Sequence, residues 1–456
     1  MHFLASVRDY GAMGDGIADD TYAFETALGA IRRRGGGTLF VEGGALGYHG
    51  IYLIRPIRLT SHLIIIMGKN STLLGLPDEG AWPLLPPLPS YGQGRGGGAF
   101  RRASLLQGIS LHNVTIQGHG YSSVVDGQGT YWWERIRNHT IQYNAGHLIE
   151  FMHSTNIRIQ NIRMMNSPSW NNHFYDCDNV HVRDVDIWAP ESSPYTDGWD
   201  PDSSRNVLIE DSTYSAGDDC VAIKSGWDCY GIDYGKPSVN ITVRNLTCHG
   251  YSAGIAIGSE MSGGIENVTI ERVRFTKSNK PADIKVGKTR GGYVRNVIFR
   301  DIVVDGPIQR AIHVDLFHYN DSPNPSCPDN WKPDKLTEIS NLTFVRWDGS
   351  RATYYDYQHR PNETYHFTAY PESPIHHVFM EDVHFPTNGL AWNCSAVHGV
   401  VRGNSVSPWP PCEGFSVESE FVSLDRSSNC VVILPIMLAF CVVVLFAARV
   451  MPLKLP

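Results

Sequence analysis

The sequence predicts an all-β solenoid, a parallel β-helix. Three features carry this: a short motif that recurs along most of the chain, strict two-residue alternation inside it, and no helical segment between central copies. The motif is an Asn or His, then alternating apolar positions, a polar pair, and more alternation. It reads NVTIQG from Asn113, NIRIQNIRMMN from Asn156, NVHVRDVDIW from Asn179 and NVLIEDSTY from Asn206. It continues as NITVRNLTC from Asn240, NVTIERVRF from Asn267, NVIFRDIVV from Asn296, NLTFVRW from Asn341 and HVFMEDVHF from His377. From Asn156 to Asn296 the steps are 23, 27, 34, 27 and 29 residues. Alternation marks strands with one buried face, and a repeat of this length marks stacked coils.

The recurrent Asn suits a tight corner, because Asn tolerates the left-handed region best after Gly. Stacked corner amides can also hydrogen-bond along the ladder. A β-sandwich uses short alternating strands too, but its Asn-Gly hairpin turns are scarce here.

The two ends differ from the middle. The segment at about 7–35 is expected to cap the solenoid: Gly-rich turns, then Asp19-Asp20-Thr21 before an apolar stripe at Ala23, Phe24, Ala27, Leu28 and Ile31. This is an N-capped amphipathic helix, and a solenoid needs a cap to hide its first coil. Residues of about 76–104, rich in Pro, Gly and Arg, read as a loop insertion. The solenoid domain is taken as 1–415, and 416–429 as a polar stalk. Residues 430–448, CVVILPIMLAFCVVVLFAA, are an uncharged apolar run. About 20 such residues cross a bilayer as a helix. Arg449 and Lys454 follow, which places the short tail 449–456 in the cytosol and the main domain outside. The opening MHFLASV lacks a charged leader region, so the expectation is a truncated start.

Composition bounds the function. The chain has 456 residues, 42% of them hydrophobic, and a formal charge of −8, which speaks against a nucleic-acid partner. The nine cysteines contain no CxxC pair, so zinc is not expected. Cys430 and Cys441 lie in the apolar run. The other seven (Cys177, Cys220, Cys229, Cys248, Cys327, Cys394, Cys412) allow up to three disulfides in an oxidising compartment. Ten Asn-x-Ser/Thr sequons agree with a secreted glycoprotein.

Three segments carry candidate chemistry: TDGWDPDSS (196–204), AGDDC (216–220) and ADIKVGKTRGG (282–292). Asp197 and Asp218 are 21 residues apart, about one coil, and neighbouring rungs stack roughly 5 Å apart. Asp197 is therefore expected beside Asp218 and Asp219, with Lys285 joining from a later coil. Clustered carboxylates push at least one pKa upward. The result is a protonated acid beside an ionised neighbour, the division that glycoside cleavage needs. Asp200 and Asp202 read as ordinary turn residues.

These motifs, in this order, resemble the polygalacturonase-like enzymes of glycoside hydrolase family 28: TDGWDPDSSRNV, AGDDCVAIKSG, SAGIAIGSEMSGG and DIKVGKTRGGYVRNV. The opening VRDYGAMGDGIADDTYAF resembles the family's N-terminal signature, and AIKSGWD with GIAIGSEMSGG resembles its plant-type branch. The likeness runs from about residue 7 to about 400. It implies a right-handed, single-stranded parallel β-helix, an inverting mechanism, a pectic polysaccharide substrate, and no metal or cofactor. By the family pattern Asp218 matches the general acid, and Asp197 and Asp219 the pair that activates water. Lys285 matches the lysine that meets a uronic carboxylate, and Cys220 and Cys248 match a bridged pair beside the site. A monomer in the secretory pathway, facing the cell wall, is the expected setting.

Three positions depart from the pattern. Asn-Thr-Asp-Gly reads Tyr195-Thr196-Asp197-Gly198. Gly-His-Gly reads Ser252-Ala253-Gly254, leaving His249 as the substitute histidine. Arg-Ile-Lys reads Asp283-Ile284-Lys285, a charge reversal that leaves Lys288 and Arg290 as candidate substrate-binding cations. The competing readings are a β-helix that grips polysaccharide without cutting it, and a pectate lyase. A lyase needs calcium and a basic arginine, which the aspartate motifs do not resemble.

Overall fold

The structure, a computed structural model, describes residues 3–418 apart from 45–49, 94–99, 319–322, 356–362, 387–389 and 410. Its strands stack coil upon coil, with successive strands pairing in parallel register. An 11-stranded sheet forms one face, and the motif strands form the rest. Along the motif, Val180, Val207, Ile241, Val268, Val297, Leu342 and Val378 stand in one register column. All are buried, so each coil extends one continuous apolar core. This is the predicted parallel β-helix.

The corner asparagines do what their chemistry allows. Asn113, Asn156, Asn179, Asn206, Asn240, Asn267, Asn296 and Asn341 all adopt φ between 56° and 59°. Their amides join along the solenoid, Asn156 to Asn113 at 2.9 Å, Asn179 to Asn156 at 2.6 Å and Asn341 to Asn296 at 2.9 Å. The following polar pair makes a second left-handed corner, which the repeat alone did not specify. Asp184, Asp211, Asn245, Arg272, Asp301 and Arg346 occupy it, with φ of 51–58°. There ion pairs and mixed bonds replace the amide ladder, as in Arg346 to Asp301 at 2.6 Å. Asn179→Ala is expected to lose about 1–2 kcal/mol of stability, combining left-handed strain and lost amide bonds. Asn179→Gly should lose less, because glycine keeps the backbone freedom. Thermal unfolding midpoints of the two variants check this.

At the N-terminal end, helix α1 (Thr21–Arg33) buries Ala23, Phe24, Ala27, Leu28 and Ile31 over the first coil, the expected stripe. Its cap differs from expectation. The Asp20 side chain turns back to accept from the amides of Met13 and Gly14 and makes no cap bond to the helix. Both carboxylate oxygens of Asp20 are thus taken up by the Gly-rich turn before the helix. In the insertion, Leu84–Leu85 pairs antiparallel with Arg101–Arg102, so it is a short pinned arm. Phe415–Glu418 pairs with Val397–Arg402 as a last strand, so the solenoid runs past the expected boundary at 415, and the rest of the expected stalk, 419–429, lies outside the described residues. No helix among the described residues is long and apolar enough to cross a membrane. The expected span 430–448 lies outside the described residues.

Candidate active site

The 11-stranded sheet presents two neighbouring columns of side chains away from the core. One runs Gln107, Glu150, His173 and Asp200, and further on Ala222, Ala256, Asp283, His313 and His366. In the other, Asp202 bridges to Lys224, and Gly258, Lys285 and Asp315 follow. Asp200 and Asp202 are therefore strand residues with no exposure, which corrects the turn reading. A signal for this column existed. Gln107, Glu150, His173 and Asp200 each lie six residues before their coil's corner asparagine.

The three aspartates sit where the chain runs into this sheet. Asp197 precedes strand Trp199–Asp202, and Asp218 and Asp219 precede Val221–Ile223. The Gly198 amide donates to the Asp219 carbonyl at 3.0 Å, which locks the two strand starts together. The glycines are forced by close backbone approach. A Cβ at Gly198 would meet the Cys220 carbonyl oxygen at 2.4 Å, and one at Gly217 the Ser193 oxygen at 2.0 Å. Cys220 bridges to Cys248 on the next coil, the pairing the resemblance implied. Cys229–Cys327 and Cys394–Cys412 are the other disulfides, and Cys177 is free and buried.

One carboxylate oxygen from each of Asp197, Asp218 and Asp219 lies within 4.8 Å of the others. Asp197 and Asp219 are almost fully buried and Asp218 is half-buried. Their environments separate them. Burial raises Asp197 well above the usual carboxylate range, with Asp218 and Asp200 adding repulsion. Burial and the Asp219 charge raise Asp218. Burial pushes Asp219 the same way, but the Lys285 ammonium at 2.7 Å outweighs it and holds the group below its ordinary value. Asp219 also accepts from the Ala253 amide at 2.9 Å and from Ser252. Asp219 is thus the most acidic of the three, beside two carboxyls whose pKa values are raised.

A buried ionic layer adjoins the trio. Lys224 Nζ lies 3.4 Å from Glu260, 3.6 Å from Asp200 and 4.7 Å from the centre of the Trp170 ring. His173 touches Glu150 at 3.0 Å and Asp202 at 3.3 Å. Burial pulls His173 down, yet the two carboxylates raise it to about 9. Burial lifts Asp200 to about 7 against the pull of Lys224 and His173. The trio has the oxygen geometry of a cation site, but Lys285 already supplies a positive charge to it. The group His147, Glu150 and His173 also has ligand-like spacing, but Arg101 already meets Glu150 at 2.8 Å.

Beside the trio lies a cleft of about 860 Å³, lined by Tyr195, Ser252, Ala253, Lys280, Asp283 and Lys285 among others. The insertion closes one side with Leu88, Tyr91, Phe100 and Arg101. The three aspartates meet it through Ser252 and Lys285, both bonded to Asp219 and both lining the cleft.

Of the other expected substrate contacts, three are not brought into the cleft lining. His249 stands on strand Thr247–Gly250, bound to Glu191 at 2.8 Å and Thr276 at 3.0 Å. Arg290 is fully buried, paired with Asp228 and donating to the Ser259 carbonyl at 2.7 Å. It braces the chain and has no surface to offer a sugar. Lys288 is exposed, its ammonium 5.6 Å from the centre of the Tyr370 ring. The other lysine and arginines that line the cleft, Lys280, Arg101 and Arg102 beside Lys285, were missed, because only the register shows where their coils arrive.

Comparison with known proteins agrees with this geometry. A probable polygalacturonase of Vitis vinifera is 43% identical over 303 residues, which is 66% of this chain and 60% of that protein. A probable polygalacturonase of Arabidopsis thaliana is 27% identical over 429 residues, 91% and 82% of the two chains. Among solved structures, an exopolygalacturonase from Thermotoga maritima aligns with a TM-score of 0.69 at 23% identity, covering 92% of this chain and 90% of that one. A polygalacturonase from Erwinia carotovora aligns at 0.65 and 22%, covering 84% and 94%. At such identities the structural likeness speaks for the fold. The model of glycosyl hydrolases family 28 matches residues 99–402, a span that holds the aspartate trio, Lys285 and the Cys220–Cys248 bridge, and the chain belongs to that family.

Proposed function

We propose that this protein hydrolyses glycosidic bonds in a pectin-type, galacturonan-like polysaccharide. The observation that carries the reading is the split within the trio: Asp219 held ionised by Lys285, with Asp218 and Asp197 pushed toward their protonated forms. Asp218 gives its proton to the glycosidic oxygen as the bond to the leaving sugar breaks. Water adds its oxygen to the anomeric carbon and passes a proton to Asp219. Asp197, its carboxyl raised by burial and by its acidic neighbours, orients that water by hydrogen bonding. Lys285 faces the cleft and meets the sugar chain.

The trio is tighter than the roughly 6.5–9.5 Å between the carboxyls of an inverting pair. Inversion is therefore proposed from the family likeness and not from spacing. The test is to purify the full chain and follow pectic polymers for new reducing ends, unsaturated ends and the anomer first formed. New reducing ends of inverted configuration are expected. Unsaturated ends would mark a lyase, and retained configuration would remove inversion.

The apolar run 430–448 supports a further proposal: the solenoid stands outside the cell, as a monomer held by a membrane anchor. Alkaline washing of membranes should leave the chain in the pellet, and release into the wash contradicts the anchor.

A further inference from the structure

Every lysine and arginine that lines the cleft, among the described residues, already has a carboxylate. Arg101 meets Glu150 at 2.8 Å and Arg102 meets Glu79 at 2.5 Å. Lys280 meets Asp283 at 3.1 Å, and Lys285 meets Asp219 at 2.7 Å. His318 also lines the cleft, but burial lowers it to about 4, so it is neutral at neutral pH. Asp283 is central. Its carboxylate lies in the lining, takes up the Lys280 charge, and accepts from His313 at 2.7 Å. The chain as a whole carries a formal charge of −8. A sugar carboxylate entering here loses water without gaining an unmatched lysine or arginine, and it meets Asp283 as a like charge.

The remaining lining mixes neutral polar groups, Asn144, Ser169, Ser252 and Asn279, with apolar and aromatic ones. Phe100 is 44% exposed and Tyr195 55% exposed, and Leu88, Ile141 and Trp170 accompany them in the wall. Exposed aromatic faces in a sugar cleft favour the C–H faces of sugars and small apolar substituents.

We propose that the cleft takes galacturonan whose carboxylates near the cut are methyl-esterified, and that Asp283 sets this preference by occupying Lys280. An ester has no charge to neutralise, and its methyl group suits the aromatic wall. This inference rests on the hydrolase reading above and narrows its substrate.

The test compares kcat/KM of the full chain on unesterified, partly and highly methyl-esterified galacturonan of equal chain length. A rise on the order of tenfold from the first to the last is expected, the scale of one unmatched charge. Added salt should speed the unesterified reaction by screening repulsion and leave the esterified one nearly unchanged. D283N keeps the side-chain shape and releases Lys280. It should raise kcat/KM on the unesterified polymer and narrow the ratio. Equal or faster cleavage of the unesterified polymer overturns the proposal, as does a rate on it that falls with salt, or a ratio that folded D283N leaves unmoved. Salt dependence of the unsubstituted protein decides the matter even if D283N does not fold. Hydrolysis of none of the three polymers overturns the hydrolase reading itself, which separates the two failures.

Discussion

Asp219→Asn is expected to lower kcat by about a thousandfold while leaving the fold in place, within the range that general acid–base groups contribute. Asn keeps the shape of the side chain and can still accept from the Ala253 amide, as Asp219 does. It cannot take a proton from water, and it removes the charge that pairs with Lys285. Asp218→Asn should be comparably damaging for the opposite reason, since an amide has no acidic proton for the leaving oxygen. Initial-rate measurements of reducing ends, with a thermal unfolding midpoint for each variant, check both. Unchanged turnover in Asp219→Asn would remove the hydrolytic assignment.

Lys285→Met is the second large effect, expected at about a hundredfold in kcat/KM, a typical size for loss of one charged group at a site. Its pH signature separates an electrostatic role from a structural one. Burial alone would raise Asp219, and Lys285 is the main cause holding it down. Without the ammonium the Asp219 pKa rises. A base must be ionised to act, so the acid limb of the rate profile should move to higher pH. Lys285→Arg should move the limb back by restoring the charge. An unshifted limb in Lys285→Met would leave Lys285 as a brace only.

The solenoid was legible because its signals are local and repeated. Each corner Asn announces a left-handed residue, and each alternating run announces a buried face, so errors in one coil do not spread to the next. The capping helix was legible from its apolar stripe for the same reason. Its cap was less so, because Asp20 faced two sets of amides and the sequence did not say which would win. The aspartate trio was legible from a spacing of one coil. The buried column of Glu150, His173 and Asp200 was open to the same reasoning, through its constant offset from the corner, but Asp-Pro-Asp resembles a turn when taken alone.

What the sequence by itself determined is the architecture and the gathering of Asp197, Asp218 and Asp219, since both depend on short-range chemistry repeated at coil spacing. Tertiary structure alone decided which cations reach the cleft and which serve as braces. Lys280, Lys285, Lys288 and Arg290 lie within eleven residues of one another, yet only the first two line the cleft and Arg290 is fully buried. Asp283 and Lys285 alternate onto one face of strand Lys280–Lys285, Lys280 at its first position reaches Asp283, and Arg290, past the strand's end, is turned inward. The charge of each residue is therefore plain in the sequence, whereas its partner is set by the coil that stacks against it.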